Sequence, residues 1–377
     1  MEDSERQVAM PPASSADGYC PVRKGEMLNG RYHAVKNLGC GYFSTVWLCQ
    51  DVGCVAVKVP KVGEDFFEAA LDEVMLLRCV NSKRRKNRAS DHVIHFLDDF
   101  KMIGEDGFHI LWSVFELLGP SLQSLLSSPG AHSLPLPFVK KATQQVLQGL
   151  SFLHKDCSII HADIKPENIL LYVTEDSLRT LLHNMASLEH EQTKKPEDDM
   201  AAFLDLGNLM KMGVKIADLG SACWTYKPFS KKIQTQPYRA LEVLLGLDYS
   251  TPADIWSTAC MVFELATGER LFEPHAGHYF SRDEDHVARI IELLGRIPPK
   301  TALFWKQAST FFNRQGALLR MSRISFYSLY HVLTDKYSWP THQAAALTNF
   351  LLPMMEYAPE RRVTAANCLQ HPWLSTQ

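Results

Sequence analysis

The nine cysteines of this sequence include no C-x-x-C pair, which removes a zinc knuckle. Their odd number and scattered spacing remove a disulfide framework. Reduced thiols, and hence a cytoplasmic or nuclear setting, are expected. The opening Met1-Glu-Asp-Ser-Glu-Arg6 has no apolar stretch of the kind a secretory signal carries. Glu2 stands where N-myristoylation requires glycine. The longest near-apolar run, Ile255–Ala266, is interrupted by Ser257, Thr258 and Glu264; it is too short for a membrane span and reads as a buried helix. A formal net charge of −3 gives no overall pull toward nucleic acid or membrane, and no internal repeat is present. The expectation is a monomer with no direct nucleic-acid or membrane partner.

What is present is ordinary globular material, 377 residues with 46% apolar and 21% charged side chains, enough for two lobes rather than one minimal domain. Residues 1–25, rich in Ser, Pro and Ala, read as a disordered tail. From Arg31 the pattern turns β-like, with strands over Ser44–Gln50 and Cys54–Val59 joined by a tight Asp51–Gly53 hairpin. Phe66–Val80 takes helical spacing, with Phe67, Leu71, Val74 and Leu77 on one stripe. Ile110–Leu118 is another strand. After Gly119-Pro120 the character is helical: Phe138–His154 is periodic, and a helix opened by Thr251-Pro252 closes at Gly268. A polar, charged insert occupies about 174–212. The fold class expected is α+β, a β-rich small lobe (26–118) and a mainly helical large lobe (119–377).

Four motifs carry chemistry. Leu38-Gly39-Cys-Gly41 precedes Val46 between two strands, where glycines let backbone amides approach phosphates; a glycine-rich turn without a ligand competes with that reading. Lys58, on the apolar strand Val55-Ala-Val-Lys58, needs a fixed anion, which Glu73 on the following helix can supply; a surface lysine at a strand end is the alternative. Ile159–Leu171 sets polar groups between apolar stretches. There Asp163 can accept a hydroxyl proton, Lys165 can neutralise a transferring phosphoryl group and Asn168 can hold Mg²⁺. His161 reads as a brace for this loop. Asp218 ends the apolar strand Val214–Ala217 and is the second Mg²⁺ candidate; Asp205-Leu-Gly207 repeats its pattern inside the polar insert and reads as a decoy. The order of these motifs points to ATP-dependent phosphoryl transfer, and Lys165 at its spacing suits serine or threonine as acceptor.

With those residues in place the chain resembles the eukaryotic protein kinases from about Arg31 to Trp373, and more narrowly the SR-protein kinases. The matching stretches are Phe43–Cys49, Ile164–Leu171, Tyr249–Cys260, Ser281–His286 and Ile290–Gly295. The resemblance implies ATP and Mg²⁺, with Leu38, Gly39, Gly41, Val46, Ala56, Lys58, Phe115, Glu116 and Leu118 around the nucleotide and Phe115 as gatekeeper. It implies a Glu242–Arg362 pair, Asp254 as an anchor of the catalytic loop, and a groove of Glu269, Asp285, Glu292 and Lys336 that docks Arg/Ser-rich proteins such as SR splicing factors. A solvated helix face is the competing reading of that acidic cluster. Two other functions stay open: a catalytically silent binder of Arg/Ser partners, and a related splicing or dual-specificity kinase with other substrates. This chain departs from the family at Ala162, where arginine is usual, at Lys231-Lys232 and Gln236-Pro237, and in its short insert.

Overall fold

Strands form where β-branched and aromatic residues alternate with polar ones, and the computed structural model describes residues 18–84, 88–104, 107–128, 132–172, 206–298, 310–313, 317–320 and 324–375. The chain divides into two units, Met1–Arg88 with Val93–Leu118 and Asp218–Gly220, and Ala89–His92 with Gly119–Ala217 and Ser221–Gln377.

The first unit is an antiparallel six-stranded sheet. Its strands are β1 (Met27–Leu28), β2 (Tyr32–Cys40), β3 (Ser44–Gln50), β4 (Cys54–Pro60), β5 (Phe96–Ile103) and β6 (His109–Glu116), in the order β1-β2-β3-β4-β6-β5. One face buries Ala34, Val57, Val59, Trp112 and Val114 in a core. Because side chains alternate, Ala56 and Lys58 belong to the other face. Helix α1 (Glu64–Arg84) lies toward that face and buries Ala70, Glu73, Val74, Leu76, Leu77 and Val80. Phe67 and Leu71, expected inside, are half-buried; the helix turns its Glu73 side inward to meet Lys58, and the apolar stripe shifts accordingly.

The expected tail over 1–25 needs correction in part. Residues 1–17 lie outside the described residues, but Cys20 is buried in the sheet core, with Val22 packed beside it, and Tyr19 bridges to Lys61.

The second unit is built on α2 (Leu136–Lys155), α3 (Pro252–Thr267), α4 (Arg282–Leu294) and α5 (Thr341–Leu351). Two small antiparallel pairs carry its functional loops, β7 (Ile159–Ile160) with β10 (Cys223–Trp224), and β8 (Ile169–Tyr172) with β9 (Gly213–Ile216). Helix α3 is buried on all sides from Ala253 to Ala266, its polar Asp254, Ser257, Thr258 and Glu264 included, as its mainly apolar character all round demands. It stops at Gly268 in the left-handed region, φ 81°, where an added Cβ would lie 1.6 Å from the His132 carbonyl oxygen. Only glycine fits there. Of the polar insert, residues 173–205, Asp205 included, lie outside the described residues; Leu206–Leu209 forms one helical turn ahead of β9. No described helix is long and apolar enough to cross a membrane.

Candidate active site

In the first unit the sheet sets Val46 opposite Lys58 and Ala56 opposite Phe115, so all four side chains share one face. Lys58 Nζ lies 2.8 and 2.9 Å from the two Glu73 carboxylate oxygens and 2.9 Å from Asp218 Oδ1. Burial works to lower the lysine pKa, but the charges of Asp218 and Glu73 outweigh it and raise it. The ammonium therefore stays charged, the state a phosphate contact needs. Asp218 adopts φ 59°, and its side chain is half exposed. A Cβ at Gly220 would sit 3.1 Å from Asp218 Oδ1, 3.3 Å from Lys58 Nζ and 3.7 Å from Glu73 Oε2. A side chain two residues after Asp218 would thus press on the cluster and shift its ends.

Gly39 has no positive φ and nothing within 4 Å of where its Cβ would be. Its backbone is therefore open to close approach from solvent, as a phosphate contact would need. Gly41 closes the β2–β3 turn, its amide donating to the Ser44 carbonyl at 2.8 Å. Leu38 is exposed and Leu118 half-buried. The Glu116 carboxylate accepts the His95 amide at 2.8 Å, which holds the end of β6 in place.

In the second unit the loop after β7 gathers the reacting groups. Asp163 Oδ1 accepts from the Thr235 hydroxyl at 2.7 Å and from the Thr235 amide at 3.1 Å. Its Oδ2 accepts from Lys165 Nζ at 2.7 Å and Asn168 Nδ2 at 3.1 Å. Lys165 also donates to Thr235 Oγ1 at 2.9 Å. With its amide nitrogen committed to Asp163, Asn168 keeps its side-chain oxygen for another partner. The loop hangs from α3: fully buried Asp254 accepts the amides of His161 and Ala162, both at 2.8 Å, and His154 Nε2 lies 2.8 Å from its Oδ2. Burial alone would raise the Asp254 pKa, but these bonds win and lower it. His161, wholly buried, has Nε2 3.0 Å from the Ala217 carbonyl.

Motif reading misses Thr235 and Glu167. One Glu167 carboxylate oxygen is buried and has no hydrogen-bond partner among the described residues. Nearby Glu264 has its pKa raised, by burial first and also by the Glu167 charge, although Tyr238 donates to it at 2.5 Å. Arg270 Nε lies 3.9 Å from Glu264 Oε1 and opposes that rise, while the unpaired Glu167 oxygen, costly to bury, is left to a further donor.

Glu242 and Arg362 form a bidentate pair, 2.7 Å at each oxygen, with side-chain exposures of 1% and 0%. The four docking candidates have different hydrogen-bond partners. Glu269 meets Lys336 at 2.5 Å and the Tyr337 hydroxyl at 3.0 Å. Asp285 instead accepts from Arg289 at 2.8 Å and from the His275 amide at 2.9 Å, while Glu292 is exposed. Among the described residues no hydrogen bond or ion pair joins Asp285 or Glu292 to Glu269 or Lys336.

This geometry has counterparts. The family described as the protein kinase domain matches residues 32–374, so the fold is that of a protein kinase. SRSF protein kinase 3 of Mus musculus is 36% identical over 502 aligned residues, covering 95% of this chain and 89% of that protein. Serine/threonine-protein kinase SRPK of Physarum polycephalum is 39% identical over 383, covering 95% and 89%. Protein kinase dsk1 of Schizosaccharomyces pombe is 32% identical over 452, covering 95% and 83%. The chain belongs to the SRSF protein kinase family of serine/threonine kinases. The mouse alignment runs well past the 377 residues of this chain, so that relative carries long insertions that the Physarum protein largely lacks.

Proposed function

We propose that this serine/threonine kinase transfers the γ-phosphoryl group of ATP, with Mg²⁺, to serines in Arg/Ser-rich proteins of the SR splicing-factor class, and so acts on pre-mRNA splicing from the cytoplasm and nucleus. The observation that carries the substrate reading is the unpartnered, buried oxygen of Glu167 beside Glu264, an anionic receptor of the kind a guanidinium fills. The names of the relatives point the same way, and the free cysteines suit a reducing compartment.

The chemistry assigned to the residues follows from their partners. Lys58, kept cationic by Glu73 and Asp218, holds the α- and β-phosphates. Thr235 and Lys165 fix the Asp163 carboxylate so that it meets the substrate hydroxyl and takes its proton as the oxygen attacks phosphorus. Lys165 then balances charge on the transferring group. Asn168, through its side-chain oxygen, and Asp218, through its carboxylate, each carry the hard oxygen donor that Mg²⁺ would take. Such an ion would supply positive charge to offset the negative charge on the transferring phosphate. A mixture of Arg-Ser, Ser-Pro and acidic peptides with Mg-ATP tests the assignment. Preference for Ser-Pro would move the enzyme to another substrate class, and no transfer at all would leave only a binding protein.

Docking is read on the same chain. Asp285→Asn with Glu292→Lys should raise the KM for an Arg/Ser-repeat protein about ten-fold, since each well-aligned guanidinium contact is worth roughly 1–3 kcal/mol. A short peptide confined to the active site should be unaffected, and the difference should shrink in high salt. Equal KM values for parent and variant on the repeat protein would remove the groove.

The enzyme should need no phosphate on its activation segment. Where regulated kinases carry a phosphate-binding arginine, Ala162 is a fully buried methyl at φ 65°. The segment is tied otherwise: the Gln234 amide donates to the Ala162 carbonyl at 3.0 Å, and its side chain donates to Ala253 O and Ser257 Oγ, both at 2.8 Å. Phosphatase-treated enzyme is expected to keep its rate; a large fall would point to Lys231 or Lys232 as a phosphate sensor.

A further inference from the structure

The glycine-rich loop is tied down from outside the matched kinase domain. That domain begins at residue 32, yet Tyr19 donates its hydroxyl to the Gly41 carbonyl at 2.8 Å. The donor is well placed. Cys20 is buried in the sheet core, Tyr19 bridges to Lys61, and the Val62 amide donates to Gly18 O at 3.0 Å. Lys61, just beyond β4, is the node of the arrangement. Its amide donates to the Phe43 carbonyl at 2.9 Å, and its ammonium lies 4.3 Å from the Tyr19 ring centre and 5.1 Å from that of Tyr42. The loop is therefore gripped at Gly41, Tyr42 and Phe43, three consecutive residues, while within the loop itself the Gly41 amide meets the Ser44 carbonyl at 2.8 Å and the Cys40 thiol lies 3.9 Å from the Gly41 carbonyl oxygen.

We infer that Tyr19 is a positioning residue for the nucleotide: its hydroxyl holds the Gly41 carbonyl so that the amides of the loop face the phosphates. Tyr42 and Phe43 are largely exposed, 78% and 62%, and their ring contacts, with each other and from Phe43 to Phe66 at 6.3 Å, bury little surface to keep the loop in one place. A loop this rich in glycine has many alternatives to lose on binding ATP, and the Tyr19 bond removes some of them in advance.

The inference rests on the reading that Gly39–Gly41 cradle phosphate, and the two can fail separately. Tyr19→Phe deletes the hydroxyl while keeping the ring beneath Lys61. It should raise the KM for ATP about two- to ten-fold, the reach of one neutral hydrogen bond. The KM for the protein substrate and the melting temperature should not move. Amide exchange over residues 39–43 should quicken without nucleotide and recover when an ATP analogue is bound. Gly39→Val is the control. If it raises the KM for ATP and Tyr19→Phe does not, the loop reading stands and the role of Tyr19 is wrong. If neither variant changes it, the phosphate cradle is wrong and Tyr19 falls with it. A Tyr19→Phe enzyme that melts early and loses every kinetic parameter together would show mere packing, which also overturns the inference.

Discussion

Asp163→Asn enzyme should bind ATP like the parent and turn over about 10²–10⁴-fold more slowly, the loss of a positioned general base. Asparagine keeps an oxygen for Thr235, which now donates to Asp163 Oδ1 at 2.7 Å, so the loop has reason to hold its shape. The Lys165 contact, 2.7 Å to Oδ2, loses its charge partner but not its neighbour Thr235. The measurement is single-turnover phosphoryl transfer beside ATP affinity. A variant within ten-fold of parent would remove Asp163 from proton transfer, whereas a collapse of ATP binding would mean that the carboxylate organises the nucleotide as well. Lys58→Met should fail differently: it leaves the Glu73 and Asp218 carboxylates facing each other without their shared cation, so nucleotide positioning and turnover fall together.

The largest effect on stability is expected at Arg362. Its guanidinium forms the two buried bonds to Glu242, reaches the Glu356 and Pro252 carbonyls at 2.9 and 3.0 Å, and lies 5.0 Å from the Trp256 ring centre. Arg362→Ala strands a buried carboxylate, which costs about 3–5 kcal/mol. For a unit of this size the melting temperature should fall by roughly 10 °C. Removing both charges, as Glu242→Gln with Arg362→Met, should cost less than Arg362→Ala alone, because nothing is then left charged in the interior. A single variant melting within a degree of parent would show that Glu242 finds another partner or protonates at little cost.

The catalytic loop is legible in the sequence because phosphoryl transfer needs unlike groups at short, fixed spacings, and Asp163, Lys165 and Asn168 supply them between apolar strands. Strands β3, β4, β6 and β9 and helices α1 to α3 are legible from apolar pattern, and α3 also from its Thr251-Pro252 start and Gly268 stop. Thr235 is not: it lies 72 residues from the carboxylate it supports, and only tertiary folding brings the two together. Glu167 stands inside the recognised motif, yet its meaning depends on Tyr238 and Glu264, which arrive from elsewhere. The segment over 18–25 reads as tail because two useful residues, Tyr19 and Cys20, make no periodic pattern. The docking residues Asp285 and Glu292 look like one face at seven-residue spacing, and what the spacing does not report is that Arg289, four residues after Asp285, takes that carboxylate. Spacing along a helix reports which side chains share a face and says nothing of which neighbour claims them first.

The anchoring of the catalytic loop by Asp254 has a kinetic consequence of another sort. The amides of His161 and Ala162 end on a carboxylate with no exposed surface, carried by a helix buried on every side. Protons on those two nitrogens can reach water only when α3 comes away, so they belong to the slowest-exchanging class of the molecule. Thermal fluctuation that frays loops elsewhere leaves Asp163 where it is, two bonded neighbours from the deepest part of the chain. The reactive group of this kinase is carried on the part of the chain that opens last.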